Sequence, residues 1–150
     1  MRIASLSDIH ANIDAFTKVL DVIDRESIDK IYIAGDLIGY YYHPDKVIDI
    51  CMARDDIHCI KGNHDQNFLK SLTDKDFMKK MIEKYGSSYR IAKEKLSEKQ
   101  INWLENLPSK LEFTIKQVSF TIAHGSIHSE DEYVYPSKSN GELLSQLSNS

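Results

Sequence analysis

Three short apolar runs separated by two amphipathic stretches occupy the first 60 residues and most constrain the fold. The runs cover residues 3–6, 31–34 and 57–60, and each contains isoleucine. The two stretches between them repeat apolar residues at helical spacing; these residues are Ile13, Phe16, Leu20 and Ile23, then Val47, Ile48 and Cys51. Strands alternating with helices at this spacing predict βαβ units and a parallel sheet that is covered on both faces.

The rest of the chain predicts helices followed by a hairpin. Residues 68–107 have a helical pattern throughout, which Pro108 ends. Residues 111–122 alternate apolar and polar side chains around a two-residue link, which predicts an antiparallel hairpin. A weaker helical pattern covers residues 141–147. Because no repeat or linker interrupts the chain, we expect residues 1–150 to form a single α/β domain.

Composition excludes several classes of protein. The chain has 150 residues, of which 41% are hydrophobic and 28% charged, which is ordinary for a folded globular domain. A net charge of −4, a pI near 5.8 and the absence of a basic run argue against a partner that is a nucleic-acid polymer. No apolar run approaches the ~20 residues of a membrane span. Because Asp8 interrupts any signal-peptide core, we expect a cytoplasmic location.

Polar side chains with metal-binding chemistry follow the predicted strands at the points where these end. They are Asp8 and His10, then Asp36, then Asn63, His64 and Asp65, and finally His124. Ligands of open α/β sheets bind beyond the carboxyl ends of the strands, so these segments converge on one place. Carboxylate, amide and imidazole donors together suit divalent ions such as Mn, Fe(II) or Zn. The sequence therefore predicts a metal site of the catalytic type.

Each of these residues also has a plainer interpretation. The residues at the strand ends could be turn or helix-capping residues, and His124 could be a core histidine. The run Tyr40-Tyr41-Tyr42-His43 could line a substrate cleft or form a packed surface loop. The acidic residues 130–132 have the pattern of a solvated loop.

Four motifs in this order resemble those of the calcineurin-like metallophosphoesterase family, in particular its small bacterial and archaeal branch. The motifs are Asp8-x-His10, Gly35-Asp36-x-x-Gly39, Gly62-Asn63-His64-Asp65 and Ala123-His124-Gly125. The resemblance covers about residues 1–128. It implies an αββα sandwich, in which helices flank two sheets, and hydrolysis of a small phosphomonoester or phosphodiester.

The resemblance also implies a role for each site residue. It implies two divalent metal ions, Mn first, with Fe, Zn, Ni and Co as alternatives. Asp8 and His10 would bind the first ion, Asp36 would bridge the two, and Asn63 and His124 would bind the second. His64 would face the substrate phosphate as a general acid or as a stabiliser of negative charge. Asp65 would orient the His64 ring.

One departure from the family pattern is the absence of a G-H-x-H segment after Gly125. We therefore expect a domain that is incomplete at its C-terminus, binds metal weakly and turns over slowly. A non-catalytic scaffold, like the retromer subunit of the same fold, is the alternative function. A metal-dependent nuclease is disfavoured by the acidic pI. The substrate and the oligomeric state stay open.

Overall fold

Parallel strands linked by helices build the amino-terminal half, as the alternating pattern predicts. The computed structural model describes residues 1–133. Its elements, in chain order, are β1 (Ile3–Leu6), α1 (Ile13–Arg25), β2 (Lys30–Ile33), α2 (Pro44–Ala53), β3 (Ile57–Cys59), α3 (Asn63–Thr73), α4 (Lys75–Tyr85), α5 (Ser88–Lys95), α6 (Glu98–Glu105), β4 (Lys110–Ile115) and β5 (Val118–Ala123). The first three strands form a parallel sheet in the order β1-β2-β3. Their carboxyl ends therefore share one edge.

The helical region is divided into separate helices by residues that cap or stop them. The first of these helices, α3, begins at Asn63 and not at the predicted residue 68. Asp74 caps α4 by accepting a hydrogen bond from the Phe77 N–H at 2.9 Å. Gly86, with a φ of +73°, ends α4 in a left-handed conformation. These short helices pack mainly against one another, with α4 against both α3 and α5.

One apolar core joins the sheet to its helices. Ile31 and Ile33 of β2 are completely buried, as is Ile48 of α2. Phe68 of α3 and Tyr89 of α5 belong to the same cluster. Burying an aliphatic side chain of this size stabilises a fold by about 1.5–3 kcal/mol. The core thereby fixes the strand ends relative to the first turn of α3.

The predicted hairpin is confirmed and packs against the parallel sheet. Strands β4 and β5 pair antiparallel across a two-residue turn, in which Lys116 and Gln117 have φ angles of +46° and +69°. Two positive φ values are typical of a hairpin turn. The Phe113 ring stacks on the Tyr32 ring of β2, with 4.2 Å between the ring centroids and an angle of 2° between the ring planes. This contact brings the end of β5 towards the end of β2.

Residues 1–133 contain no helix that combines the length and the apolar character needed to cross a membrane. The helix predicted over residues 141–147 lies outside the described residues.

Candidate metal centre

The loops that follow β1 and β2 are joined by backbone hydrogen bonds. The Asp8 N–H donates to the Gly35 carbonyl at 3.1 Å, and the His10 N–H donates to the Asp36 carbonyl at 2.9 Å. Asp8, His10 and Asp36 all have positive φ angles, between 50° and 57°. Such conformations cost about 1 kcal/mol or more for residues other than glycine. Strained loop residues that are held in this way are typical of functional sites.

Glycine allows the loops after β2 and β3 to touch. Gly35 has a φ of +85°, and a Cβ atom there would lie only 2.5 Å from the Gly62 nitrogen. No larger residue fits without moving the backbone. This close approach places Asp36 at the first turn of α3, where its Oδ1 accepts a hydrogen bond from the His64 N–H at 2.9 Å.

Asp36 lies at the centre of the predicted ligands and is 2% exposed. Because Oδ1 is occupied by the His64 N–H, Oδ2 is left to face the site. That oxygen lies 3.7 Å from the His10 Nε2 and 3.5 Å from the His124 Nε2. The Asp36 carboxylate thus lies between two imidazoles that follow different strands, β1 and β5. This is the placement expected for a bridging ligand.

Backbone carbonyls orient both imidazoles. The Nδ1 of His10 lies 2.9 Å from the Ile38 carbonyl oxygen, and the Nδ1 of His124 lies 2.7 Å from the Ala34 carbonyl oxygen. A carbonyl only accepts, so in each ring Nδ1 carries the proton and the Nε2 lone pair points into the site. This arrangement is usual for histidines that bind metals.

The remaining predicted ligands lie beside these rings. Asp8 Oδ1 is 3.4 Å from the His10 Nε2, and Asn63 Oδ1 is 2.9 Å from the His124 Nε2. Asp8, His10 and Asp36 offer ligand atoms that all lie within 4.8 Å of one another. The structure therefore brings all five predicted ligands together.

The electrostatics of the cavity suit divalent cations. Its volume is about 320 Å³, and its lining carboxylates are Asp8, Asp36, Glu130, Asp131 and Glu132. The acidic segment 130–132 is a loop, as the sequence pattern indicates, and it also lines the cavity. Within residues 1–133, no Lys or Arg contributes to this lining. Burial raises the pKa of Asp36 to about 6, because the neighbouring His124 and the hydrogen bond from the His64 N–H offset only part of the desolvation.

Asp65 has a different role from the predicted one. Its completely buried carboxylate accepts hydrogen bonds from the N–H groups of Leu37, Ile38 and Gly62 at 2.9–3.3 Å. Both oxygens are thereby occupied by backbone, so the carboxylate is not the partner of the His64 ring. Asp65 instead joins the β2 loop to the first turn of α3.

The ring partner of His64 is Tyr89, which the sequence analysis missed. The Tyr89 hydroxyl lies 3.0 Å from the His64 Nδ1, in a completely buried contact. When this hydroxyl donates to Nδ1, the imidazole proton lies on Nε2. Burial, followed by the neighbouring His10, lowers the pKa of His64 to about 4. No local signal identifies Tyr89, because the contact joins residues 25 positions apart.

With this geometry established, comparison with known proteins defines the family. Residues 1–146 match the model of the calcineurin-like phosphoesterase superfamily domain. The chain belongs to this superfamily. Family membership confirms the resemblance that the four motifs carry and accounts for their positions at the ends of the strands.

The chain is also similar to three known proteins. The uncharacterized protein MJ0912 of Methanocaldococcus jannaschii is 30% identical over 140 residues, which cover 89% of this chain and 54% of that protein. The symmetrical bis(5'-nucleosyl)-tetraphosphatase of Delftia acidovorans is 38% identical over 71 residues, which cover 46% of this chain and 25% of that protein. The crystal structure of the hypothetical protein PH1004 from Pyrococcus horikoshii superposes with a TM-score of 0.83, at 22% identity, over 98% of this chain and 64% of that one.

These matches confirm the predicted fold class, a metallophosphoesterase-type α/β fold. The chain spans about half the length of MJ0912, and its 71 residues that match the tetraphosphatase cover a quarter of that protein.

Proposed function

We propose that the chain hydrolyses phosphate esters at a dinuclear metal centre held by Asp8, His10, Asp36, Asn63 and His124. The observation that carries this proposal is the position of Asp36 Oδ2 between the Nε2 atoms of His10 and His124. A buried carboxylate in that position, with no Lys or Arg in the described lining, gains most from bound cations.

Divalent ions bound by these residues would supply Lewis acidity towards the phosphoryl oxygens and a nucleophilic water at neutral pH. The donor set suits Mn first and also Fe, Zn, Ni or Co, because it mixes carboxylate, amide and imidazole groups. The acidic lining repels a phosphate ester by itself, so substrate binding requires the cations.

His64 acts on the substrate and not on the metal. When the buried Tyr89 hydroxyl donates to the His64 Nδ1, Nε2 carries the proton and is the atom able to donate a hydrogen bond. Because the pKa of His64 is low, the neutral ring donates this bond at pH 7. Donation to a phosphoryl or leaving-group oxygen stabilises negative charge as it develops there.

The substrate is a small phosphorylated molecule. Membership of a phosphoesterase superfamily and the similarity to a bis(5'-nucleosyl)-tetraphosphatase support this class. The cavity of about 320 Å³ is at the small end of ligand pockets. The choice between phosphomonoester and phosphodiester stays a prediction, as does the cytoplasmic location.

Hydrolysis of p-nitrophenyl phosphate and of its bis ester, with and without Mn²⁺, tests the proposal. We expect Mn²⁺-dependent hydrolysis that Asp36→Asn abolishes together with metal content. His64→Ala should lower the rate about 100-fold with metal content unchanged. His58→Gln is the matched control, because His58 contacts Lys30 and Tyr32 and does not line the cavity.

Two results would contradict the proposal. One is a chain that binds Mn²⁺ and hydrolyses neither ester, which would favour the scaffold function. The other is equal loss of metal from Asp36→Asn and His64→Ala, which would make His64 a ligand.

A further inference from the structure

Three consecutive tyrosines follow the Asp36 loop, and only the first lines the metal cavity. Tyr40, Tyr41 and Tyr42 have nearly equal exposed fractions of 48%, 51% and 51%. Tyr40 lines the cavity that contains Asp8 and Asp36, whereas Tyr41 and Tyr42 do not. Gly39, with a φ of +98°, and Tyr40, with a φ of +54°, turn the backbone at this point. Position in the turn, and not exposure, therefore separates Tyr40 from its neighbours.

The Tyr40 ring is held in place by aromatic neighbours. Its centroid lies 4.6 Å from that of His10 and 5.7 Å from that of Tyr85, and both contacts are edge-on. The His64 ring lies 4.9 Å away. In the backbone, the Tyr41 N–H donates to the His10 carbonyl at 3.1 Å. A ring braced in this way loses little conformational freedom when a ligand binds.

The braced ring is an aromatic surface in a cavity whose other lining is mainly polar. Tyr85 adds a second ring, and the Lys84 Nζ lies 4.8 Å from the centroid of that ring. A planar base can stack on such a surface with its whole face. Stacking of one base on one aromatic side chain changes affinity by about tenfold or more.

We propose that Tyr40, braced by Tyr85, is a stacking site for the base of a nucleoside phosphate whose phosphate lies at the metal centre. This inference rests on the proposed function, because the phosphate must first be held beside Asp36. It goes further by naming nucleoside phosphates as the substrate class. A base is favoured over a phosphoserine or phosphothreonine side chain, because such a side chain has no planar face to stack on Tyr40, which lines the cavity.

Calorimetric binding of AMP and ribose 5-phosphate to the Mn²⁺-loaded full chain tests this site, because the two ligands differ only in the base. We expect AMP to bind about tenfold more tightly. Tyr40→Leu should reduce AMP affinity to that of ribose 5-phosphate, and affinity for ribose 5-phosphate should stay within about twofold of its original value. Tyr40→Phe should keep the preference for AMP, because it keeps the ring. Tyr42→Leu is the matched control and should also keep it.

Three outcomes would overturn the inference. Equal affinities for the two ligands in the unchanged chain would show that the base is not bound. A preference for AMP that survives Tyr40→Leu would place the base elsewhere. An equal loss of affinity for both ligands in Tyr40→Leu would show that Tyr40 only supports the metal site. Failure of the proposed function is distinguishable, because neither ligand would then bind and neither nitrophenyl ester would be hydrolysed.

Discussion

The two ends of the parallel sheet differ in what shifts the pKa values of their carboxylates. At the amino end of β3, Arg54 forms hydrogen bonds with both Asp24 and Asp56, and these contacts hold the pKa of each carboxyl below its usual value. At the carboxyl end, burial raises the pKa values of Asp36 and Asp65 to about 6. An arginine thus compensates the carboxylates at one end, whereas at the other end burial outweighs the neighbouring histidine and N–H groups.

This difference indicates which end binds a ligand. The cluster of Arg54 with Asp24 and Asp56 contributes modestly to stability and requires no bound cation. A buried carboxylate with no cationic partner costs free energy, and the fold retains that cost where an external cation offsets it. The two carboxylates at the carboxyl end also differ from each other. Asp65 is satisfied by three backbone N–H groups, whereas Asp36 Oδ2 faces two imidazoles.

The largest effect should come from Asp65→Ala. This substitution leaves the buried N–H groups of Leu37, Ile38 and Gly62 without their acceptor, and each such loss costs about 1–3 kcal/mol. We expect the free energy of unfolding, measured by urea denaturation, to fall by about 3–5 kcal/mol. The free energy of unfolding of Asp65→Asn should lie between those of Asp65→Ala and the unchanged chain, because Asn keeps one acceptor oxygen. A loss below about 1 kcal/mol in Asp65→Ala would show that these contacts are not structural.

Asp36→Asn, in contrast, should raise the free energy of unfolding of the metal-free protein. Asn keeps an oxygen for the His64 N–H and places an NH₂ group where it can donate to the Nε2 lone pairs of His10 and His124. Above pH 6 the ionised Asp36 carries its full desolvation cost, so Asn should stabilise the chain by roughly 1–3 kcal/mol at pH 7 in EDTA.

The stabilisation should fade as the pH falls towards 4. Folding raises the pKa of Asp36 from 3.8 to about 6, so the folded state takes up a proton in this range and the penalty disappears. Urea denaturation at pH 7 and pH 4.5 measures the difference. Destabilisation by Asp36→Asn at pH 7 would mean that Asp36 is compensated as the Arg54 cluster is.

Tyr89→Phe should have a smaller effect, limited to turnover. The change removes the hydroxyl at His64 Nδ1 and keeps the buried ring. We expect kcat for the bis ester to fall about tenfold, with KM and metal content nearly unchanged. The loss should be greater for esters with poorer leaving groups. An equal loss for good and poor leaving groups would show that Tyr89 does not act through the charge on the leaving oxygen.

The smallest effect should come from Arg54→Met, at the compensated end. We expect the free energy of unfolding to fall by at most about 1 kcal/mol and the loss to shrink as salt is added. Hydrolysis and metal content should not change. A large loss of activity in this variant would show that the two ends of the sheet are not independent.

Much of the fold could be predicted because it depends on local patterns. The three strands, the first two helices and the hairpin follow from apolar periodicity and from a two-residue link. The start of α3 at Asn63 was missed, because its first turn is polar. Asp65 caps that turn locally at the Gly62 N–H, and Asp36 holds it from across the chain through the His64 N–H. Tertiary hydrogen bonds of this kind leave no periodic signal.

The metal ligands of the candidate site could be predicted from the sequence, but the residues that position their neighbours could not. Asp8, His10, Asp36, Asn63 and His124 end strands or begin a helix, and the shared edge of a sheet brings such positions together. The roles of Asp65 and Tyr89 depend on which buried group reaches which partner. These contacts span 25–28 positions in the sequence, so no local pattern encodes them.

Anomalous diffraction from crystals equilibrated with millimolar Mn²⁺ tests the central claim most directly. We predict two manganese peaks, one on each side of the Asp36 carboxylate, the first beside Asp8 and His10 and the second beside Asn63 and His124. Peaks elsewhere on the molecule, or no peak within ligand distance of Asp36, would contradict it.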